Sequence, residues 1–159
     1  MNRTFVFAFL FLTLLGSALP ARAGDKIWSA VLIATNVAKP KDPPAELRSV
    51  AGRLQKVFGY NEFDIVGTAS AEVDDENEHP LMPTKTFWLN LKARRASVKE
   101  ARGGYLLNLQ LYQEKRALVD TVALIAPDSP LFFRGPMHAR GQILIVLQVQ
   151  QEREKKGKP

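Results

Sequence analysis

The sequence predicts an α+β domain in which one amphipathic helix packs on a face of an antiparallel sheet of about five or six strands. Four successive stretches after position 85 alternate apolar and polar side chains, which is the pattern of a strand that buries one face. One earlier stretch, residues 45–58, repeats its apolar side chains at helical spacing instead. Short links between strands require antiparallel neighbours, because a parallel return needs a long crossover.

The first 23 residues have the composition of a cleavable export signal. Arg3 precedes the apolar run 5–15, and the small residues of the triplet 21–23 precede the expected cleavage point. The run is short for a permanent membrane span, and an uncleaved anchor or a buried helix is the alternative interpretation. We therefore expect a protein of the bacterial periplasm or a secreted protein, with one domain over residues 24–150.

Charge and cysteine content narrow the function classes. The chain has no Cys, so an exported domain of this sequence forms no disulfide and depends on its packed core. The formal net charge is +6, but part of it lies in the export signal and part in residues 151–159, which we expect to be a disordered basic tail. The remaining body is only weakly basic and lacks a concentrated basic face, which argues against nucleic acid as a partner.

The strands are expected in the following order. Residues 27–35 are apolar or small at nearly every position, as in an interior strand covered on both faces. A weaker alternation indicates a strand over 60–68, and the link 113–117 between two later strands is short enough for a hairpin. Trp88 and Tyr112 lie on the side away from the core, where they support a second face or are covered by the helix. The core-facing side chains of the four later strands are Phe87, Leu89, Leu91; Tyr105, Leu107, Leu109, Leu111; Val119, Thr121, Ala123, Ile125; Ile143, Ile145, Leu147 and Val149.

The helix is expected over residues 45–58, after a connection, 36–44, that contains three prolines. Asp42 can cap its first amides, and Gly59 can supply a left-handed stop. Gly52 either lets the helix approach the sheet closely or is a tolerated accident. The apolar stripe consists of Leu47, Val50, Ala51, Leu54, Val57 and Phe58.

An acidic segment within residues 69–85 is the one segment whose composition suggests a binding site for a hard cation such as Ca²⁺. Calcium loops alternate their oxygen ligands and use Gly for the sharp turn, and neither feature is present. We therefore expect a solvated surface loop without a metal. Its acidic residues and histidine are Asp74, Asp75, Glu76, Glu78 and His79.

The sequence carries no catalytic or cofactor motif: it has no Cys nucleophile, no Gly-x-Ser-x-Gly elbow and no P-loop. A catalytic triad of Ser129, His138 and Asp128 would require one loop to place all three side chains in catalytic geometry. This is rare for residues so close in sequence. The paired carboxylates of a glycosidase lie in a substrate cleft, and a domain with one helix has few elements that could form the walls of such a cleft. The candidates are Glu46, Glu62, Asp64, Glu72 and Asp120. We expect neither an enzyme nor a cofactor.

The expected loop 129–141 is the most informative segment, because it is too apolar for a simple connection and two arginines bracket its apolar residues. One interpretation is a lid that covers the open end of the core and removes apolar area from water. The other is an exposed apolar patch with a basic rim that docks a protein or a membrane surface. The candidate binding residues are Leu131, Phe132, Phe133, Arg134, Met137, His138 and Arg140.

Together these observations predict a non-catalytic envelope module that binds another protein through a sheet edge or through residues 129–141. A second hypothesis is a binder of anionic envelope polymer or lipid headgroups that uses Arg134, Arg140 and the lysines of the tail, with steep salt dependence. A third is a small hydrolase centred on His138 or on the scattered carboxylates. The identity of the partner and the oligomeric state do not follow from the sequence.

Overall fold

The computed structural model describes residues 25–73, 78–100 and 103–150. In this part of the chain two antiparallel sheets of four strands each face one another, and one short helix packs on the outer face of the first sheet. The elements are β1 (Lys26–Thr35), a 3-10 turn (Ala45–Leu47), α1 (Ala51–Phe58), β2 (Glu62–Glu72), β3 (Glu78–Leu81), β4 (Phe87–Arg95), β5 (Tyr105–Gln113), β6 (Arg116–Ile125), β7 (Leu131–His138) and β8 (Gly141–Gln150). The first sheet has the strand order β2-β1-β8-β7, and the second has the order β3-β4-β5-β6.

Strand β1 is the interior strand that the sequence predicts. It pairs with β2 on one side and with β8 on the other, and its side chains alternate between two cores. The row between the sheets is Ile27, Val31 and Ile33; the row under the helix is Trp28, Ala30, Leu32 and Ala34. A strand covered on both faces has to be apolar or small throughout, which is why this stretch shows no alternation.

The four strands expected after position 85 are present as β4, β5, β6 and β8, so this prediction is confirmed. The leucines of β4 and β5 that were expected to face inward are at most 1% exposed and lie against the inward row of β8. The hairpin between β5 and β6 is also confirmed, with Glu114 in a left-handed conformation at φ 51°. Most of the described hydrophobic core therefore lies between the two sheets.

The expectation of a single sheet of five to six strands is wrong in detail, because the strands divide into two sheets of four. Strand β2 pairs with β1, whereas β3 to β6 form a separate sheet. A period of two shows that a strand buries one face, but it does not show which strands share a sheet. The coarser prediction of antiparallel strands with one outer helix holds.

Two strands lie in segments that were expected to be loops. Strand β3 is short and pairs with β4, and β7 pairs with β8 over most of the segment expected to be the loop 129–141. The alternation is hidden in β7, because Leu131 and Phe133 pack between the sheets while Phe132 packs on the opposite face. A strand with apolar side chains on both faces and a Gly-Pro pair at its end does not look like a strand in sequence.

The helix is shorter than expected: a 3-10 turn precedes α1, and residues 48–50 separate the two. The tighter turn sets Leu47 and Val50 on one side, where both are buried against the first sheet. Gly59 ends α1 at φ 77° as expected, but no side chain caps either helical start, so the expectation for Asp42 is wrong. A Cβ on Gly52 would meet nothing within 4 Å, so this glycine does not serve a close approach.

The predicted export signal, most of the acidic segment and the basic tail lie outside the described residues. No helix within the described ranges is long and apolar enough to cross a bilayer.

Candidate functional site: a pocket at the end of the sandwich

A cavity of about 290 Å³ opens at the end of the sandwich where β1 finishes and β8 begins. We call it the end pocket. Its lining comes from both sheets: core side chains such as Ile33 and Phe87 close its inner end, and exposed ones such as Met137 stand at its mouth. The apolar residues are Val31, Ile33, Val66, Phe87, Pro136, Met137 and Ile143; the polar residues are Thr84, Thr86, Gln113, His138 and Arg140.

The tight turn between β7 and β8 places three of the predicted binding residues at this mouth. Gly141 has a φ of 150°, and a Cβ on it would lie 2.5 Å from the carbonyl oxygen of Ala34. Glycine therefore lets the turn pass directly over the end of β1. As a result Met137, His138 and Arg140 stand beside the pocket, and the Met137 side chain is 71% exposed.

A buried glutamine holds the irregular end of β7 in place. Gln142 is 4% exposed, and its amide donates to the carbonyl oxygen of Gly135 at 2.7 Å and to that of Ile143 at 3.1 Å. The register between β7 and β8 shifts between Arg134 and Met137, so the carbonyl groups of Gly135 and of Pro136, which accepts from the same amide at 3.3 Å, leave the regular ladder. The glutamine satisfies them and thereby keeps the rim of the pocket ordered.

The opposite wall depends on a second irregularity, in β2. The register with β1 shifts between Val31 and Leu32, and Val66 is the extra residue in β2. A Cβ on Gly67 would lie 1.9 Å from the carbonyl oxygen of Pro83, so only glycine allows the segment before β4 to rest on β2. That segment brings Thr84 and Thr86 to the mouth.

The charge at the end pocket is one-sided. Arg140 is the one Arg or Lys in the lining, and the lining contains no Asp or Glu. The Arg140 backbone N–H donates to His138 Nδ1 at 3.2 Å, while its guanidinium forms no ion pair with any residue in the described ranges. The pocket therefore combines an apolar interior with an unneutralised cation, which favours an occupant that carries a negative charge.

The remaining predicted binding residues have packing roles. Phe132 meets Phe58 of α1 edge to face with ring centroids 6.2 Å apart, and the Arg134 guanidinium lies 5.5 Å from the centre of the same Phe58 ring. Leu131 and Phe133 pack against the core between the sheets. The seven residues thus do not form one patch: four hold β7 in place, and three surround the pocket.

The triad considered from sequence is not assembled. Asp128 and Ser129 precede β7, and His138 is its last residue. At roughly 3.3 Å per residue of extended chain, the strand separates Ser129 from His138 by about 25–30 Å. No group of three or more His, Cys, Asp or Glu side chains in the described ranges is placed to hold a metal ion.

The outer face of the second sheet carries an aromatic pair, Trp88 and Tyr112. Trp88 and Tyr112 stack with centroids 4.1 Å apart and an interplanar angle of 4°. They alternate with the buried side chains of β4 and β5, which confirms that they lie away from the core. The helix packs on the other sheet, so the alternative that it covers them is wrong. Their polar groups have partners within the sheet: Trp88 Nε1 donates to the carbonyl oxygen of Glu114 at 2.9 Å, and the Tyr112 hydroxyl donates to Gln110 Oε1 at 3.1 Å.

Sequence reasoning missed the other half of the end pocket. Val66, Thr84, Thr86 and Gln113 come from three separate segments and carry no local pattern that indicates a site. Pro83 and Gly67 were the only available signals, because both residue types punctuate a strand pattern. The pocket becomes visible only when the two sheets are placed together.

The fold and the site together define a two-sheet antiparallel sandwich with one outer helix and an apolar, basic-rimmed end pocket. Comparisons with family models, with curated proteins and with solved structures find no match for this chain.

Proposed function

We propose that this chain is a non-catalytic, exported protein-binding module, and that its end pocket accepts an apolar side chain of the partner beside a carboxylate. The observation that carries the proposal is the end pocket itself, with its apolar lining and the unneutralised guanidinium of Arg140. The composition of the first 23 residues supports a partner outside the cytoplasm.

The energetics favour the apolar part of this contact. Burial of one Leu or Phe side chain contributes about 1.5–3 kcal/mol, and an exposed ion pair with Arg140 adds at most about 1 kcal/mol. The sum, at most about 2.5–4 kcal/mol, corresponds to a dissociation constant of about 1–15 mM. The pocket therefore acts as one specific anchor within a larger interface, and an isolated peptide binds it weakly.

NMR of methionine methyl groups tests this proposal, because it detects weak binding. Met137 lies at the pocket, whereas Met82 is 64% exposed and is not part of the lining, so it serves as an internal control. The probes are short peptides with one Leu or Phe next to Glu, and matched peptides with Lys in place of Glu. We expect the Glu peptides to shift the Met137 signal and leave Met82 unchanged, and Arg140→Gln to reduce the shift.

Equal shifts with Glu and Lys peptides, or shifts at Met82 alone, would contradict the proposal. Co-sedimentation with phosphatidylglycerol vesicles distinguishes the anionic-surface hypothesis. Salt-sensitive vesicle binding that Arg140→Gln weakens, without any peptide-induced shift of the Met137 signal, would favour that hypothesis instead.

A further inference from the structure

Each sheet of the sandwich ends in two edge strands, and the four edges differ in how open they are. The first sheet ends in β2 and β7, and the second ends in β3 and β6. An edge strand presents unpaired N–H and C=O groups that can pair with another chain, and proteins usually block such edges with prolines, bulges, charges or short strands.

Three of the four edges are blocked. Strand β3 has four residues, one of which is Pro80. Strand β7 loses its regular register between Arg134 and Met137, and Pro136 in this stretch has no N–H to donate. Strand β2 has its extra residue at Val66, and its middle is covered where Pro83 rests on Gly67. None of these strands offers a long regular edge.

Strand β6 has none of these features except at its hairpin end. Its irregularity lies opposite Leu111 and Tyr112, next to the hairpin, and the pairing with β5 is regular from Val119 to Ile125. This segment contains no Pro, Gly, Lys or Arg. Its one charged residue, Asp120, accepts a hydrogen bond from the Gln110 amide at 3.1 Å within the same sheet.

The β6 edge also leaves apolar surface on both faces of its sheet. On the outer face Val122 is 60% exposed and Leu124 is 38% exposed. On the inner face Val119 is only half-buried, as are Leu131 and Phe133 of β7, which follows β6 in the chain. A strand that added to this edge would cover apolar groups on both sides, so it must itself be apolar on both sides.

We propose that β6 pairs in antiparallel fashion with β6 of a second copy of this chain, about a twofold axis that passes midway between the two Ala123 residues. Strand β6 itself meets the requirement for an added strand, since both of its faces carry apolar side chains. The two second sheets then join into one continuous eight-stranded sheet, with an interface that uses the same surface on both copies.

The register follows from the pleat and from the positions of the exposed side chains. Directly opposed residues have to lie on the same face of the sheet, so a symmetric register pairs one residue with the same residue of the second copy. With Ala123 opposite Ala123, Val122 faces Leu124 of the second copy and Leu124 faces its Val122. All four exposed apolar side chains then form one cluster, which opposed cross-strand pairs stabilise.

Sedimentation equilibrium of the signal-free chain tests this proposal. We expect a monomer–dimer equilibrium, and we expect the double variant Val122→Lys/Leu124→Lys to raise the dissociation constant at least about tenfold, because four ammonium groups then face one another. Both positions are exposed, so the fold should tolerate the change. Val98→Lys is the matched control, because Val98 is 82% exposed and lies outside β6.

A wild-type chain that stays monomeric at every soluble concentration overturns the proposal, and so does a lysine variant that dimerises like the wild type. The register has its own check, since the chain contains no Cys. Ala123→Cys should cross-link two copies under mild oxidation, whereas Val98→Cys should not. An intact dimer in which Ala123→Cys never cross-links would exclude this register.

The end pocket takes no part in this interface, so the two proposals fail separately. Met137→Lys should disturb the pocket and leave the dimer intact. The Val122→Lys/Leu124→Lys variant should lose the dimer and still show the Met137 shift with Glu peptides.

Discussion

At the scale of single residues, glycines and one glutamine determine whether the end pocket exists. Gly141 and Gly67 each sit where a carbonyl oxygen of another segment occupies the position of a Cβ. Gln142 donates to the Gly135 and Pro136 carbonyl groups, which the irregular end of β7 leaves outside the ladder. None of these three residues lines the pocket, but each fixes the position of residues that do.

Gly141→Ala should destabilise the protein by about 1–3 kcal/mol, because the backbone conformation disfavours an L side chain and the new Cβ meets the Ala34 carbonyl. Urea unfolding followed by circular dichroism measures the change. An alanine variant as stable as the wild type would show that the turn does not need glycine.

Gly52→Ala is the matched control, since this glycine lies within α1 and a Cβ there would meet nothing within 4 Å. The same substitution should here stabilise the protein by about 0.5–1 kcal/mol, because alanine loses less backbone entropy in a helix than glycine does. We therefore expect the free energy of unfolding to fall for Gly141→Ala and to rise for Gly52→Ala.

At the scale of elements, β7 links the two cores of the molecule. Its neighbouring residues Phe132 and Phe133 point to opposite faces, one toward α1 and one toward the core between the sheets. The helix is further attached through a hydrogen bond from the Arg53 guanidinium to the Asp128 carbonyl oxygen, just before β7 begins. The segment therefore contributes to stability as well as to the rim of the pocket.

Phe132→Ser and Phe133→Ser should each lower the free energy of unfolding by about 1–3 kcal/mol, less than for fully buried phenylalanines, because both side chains are partly buried. Denaturant unfolding of each single variant measures the loss. Met137→Ser, at a side chain that is 71% exposed, should stay within about 0.5 kcal/mol of the wild type. Unchanged stability in both phenylalanine variants would instead favour a free docking patch.

At the scale of the whole molecule, one polar cluster ties the two sheets together at a distance from the helix. The Tyr105 hydroxyl, from β5, donates to Asp25 Oδ2 at 2.7 Å, just before β1. Arg95 Nη2 of β4 donates to the Tyr105 hydroxyl oxygen at 2.9 Å, and its guanidinium lies 5.1 Å from the centre of the Tyr105 ring. This cluster joins the first strand of one sheet to two strands of the other.

Tyr105→Phe should cost about 1–3 kcal/mol, because it removes a hydrogen bond to a carboxylate while the rest of the ring stays buried. Asp25→Asn and the double variant complete a double-mutant cycle by denaturant unfolding. We expect a coupling energy of about 0.5–3 kcal/mol for groups in direct contact. Additive effects of the two substitutions would mean that the hydroxyl and the carboxylate contribute independently.

Local patterns were enough to predict most of the strands and the end of the helix. The alternation of β4, β5, β6 and β8 follows from burying one face, and the continuous apolar run of β1 follows from burying both. Gly59 ends the helix because its left-handed conformation carries no side-chain penalty. The start of the helix was less predictable, because packing of Leu47 and Val50 rather than a capping side chain determines it.

Of the candidate site, the sequence by itself determined an unusually apolar segment with arginines, and with it Met137, His138 and Arg140. Only the tertiary structure decided that this segment is a strand, that Phe132 and Phe133 serve two cores, and that Val66 and Thr84 complete a pocket with Met137. The physical reason is that periodicity reports how a segment meets its immediate surroundings. The pairing of sheets and the meeting of strand ends depend on contacts between residues far apart in the chain, and no local pattern encodes those contacts.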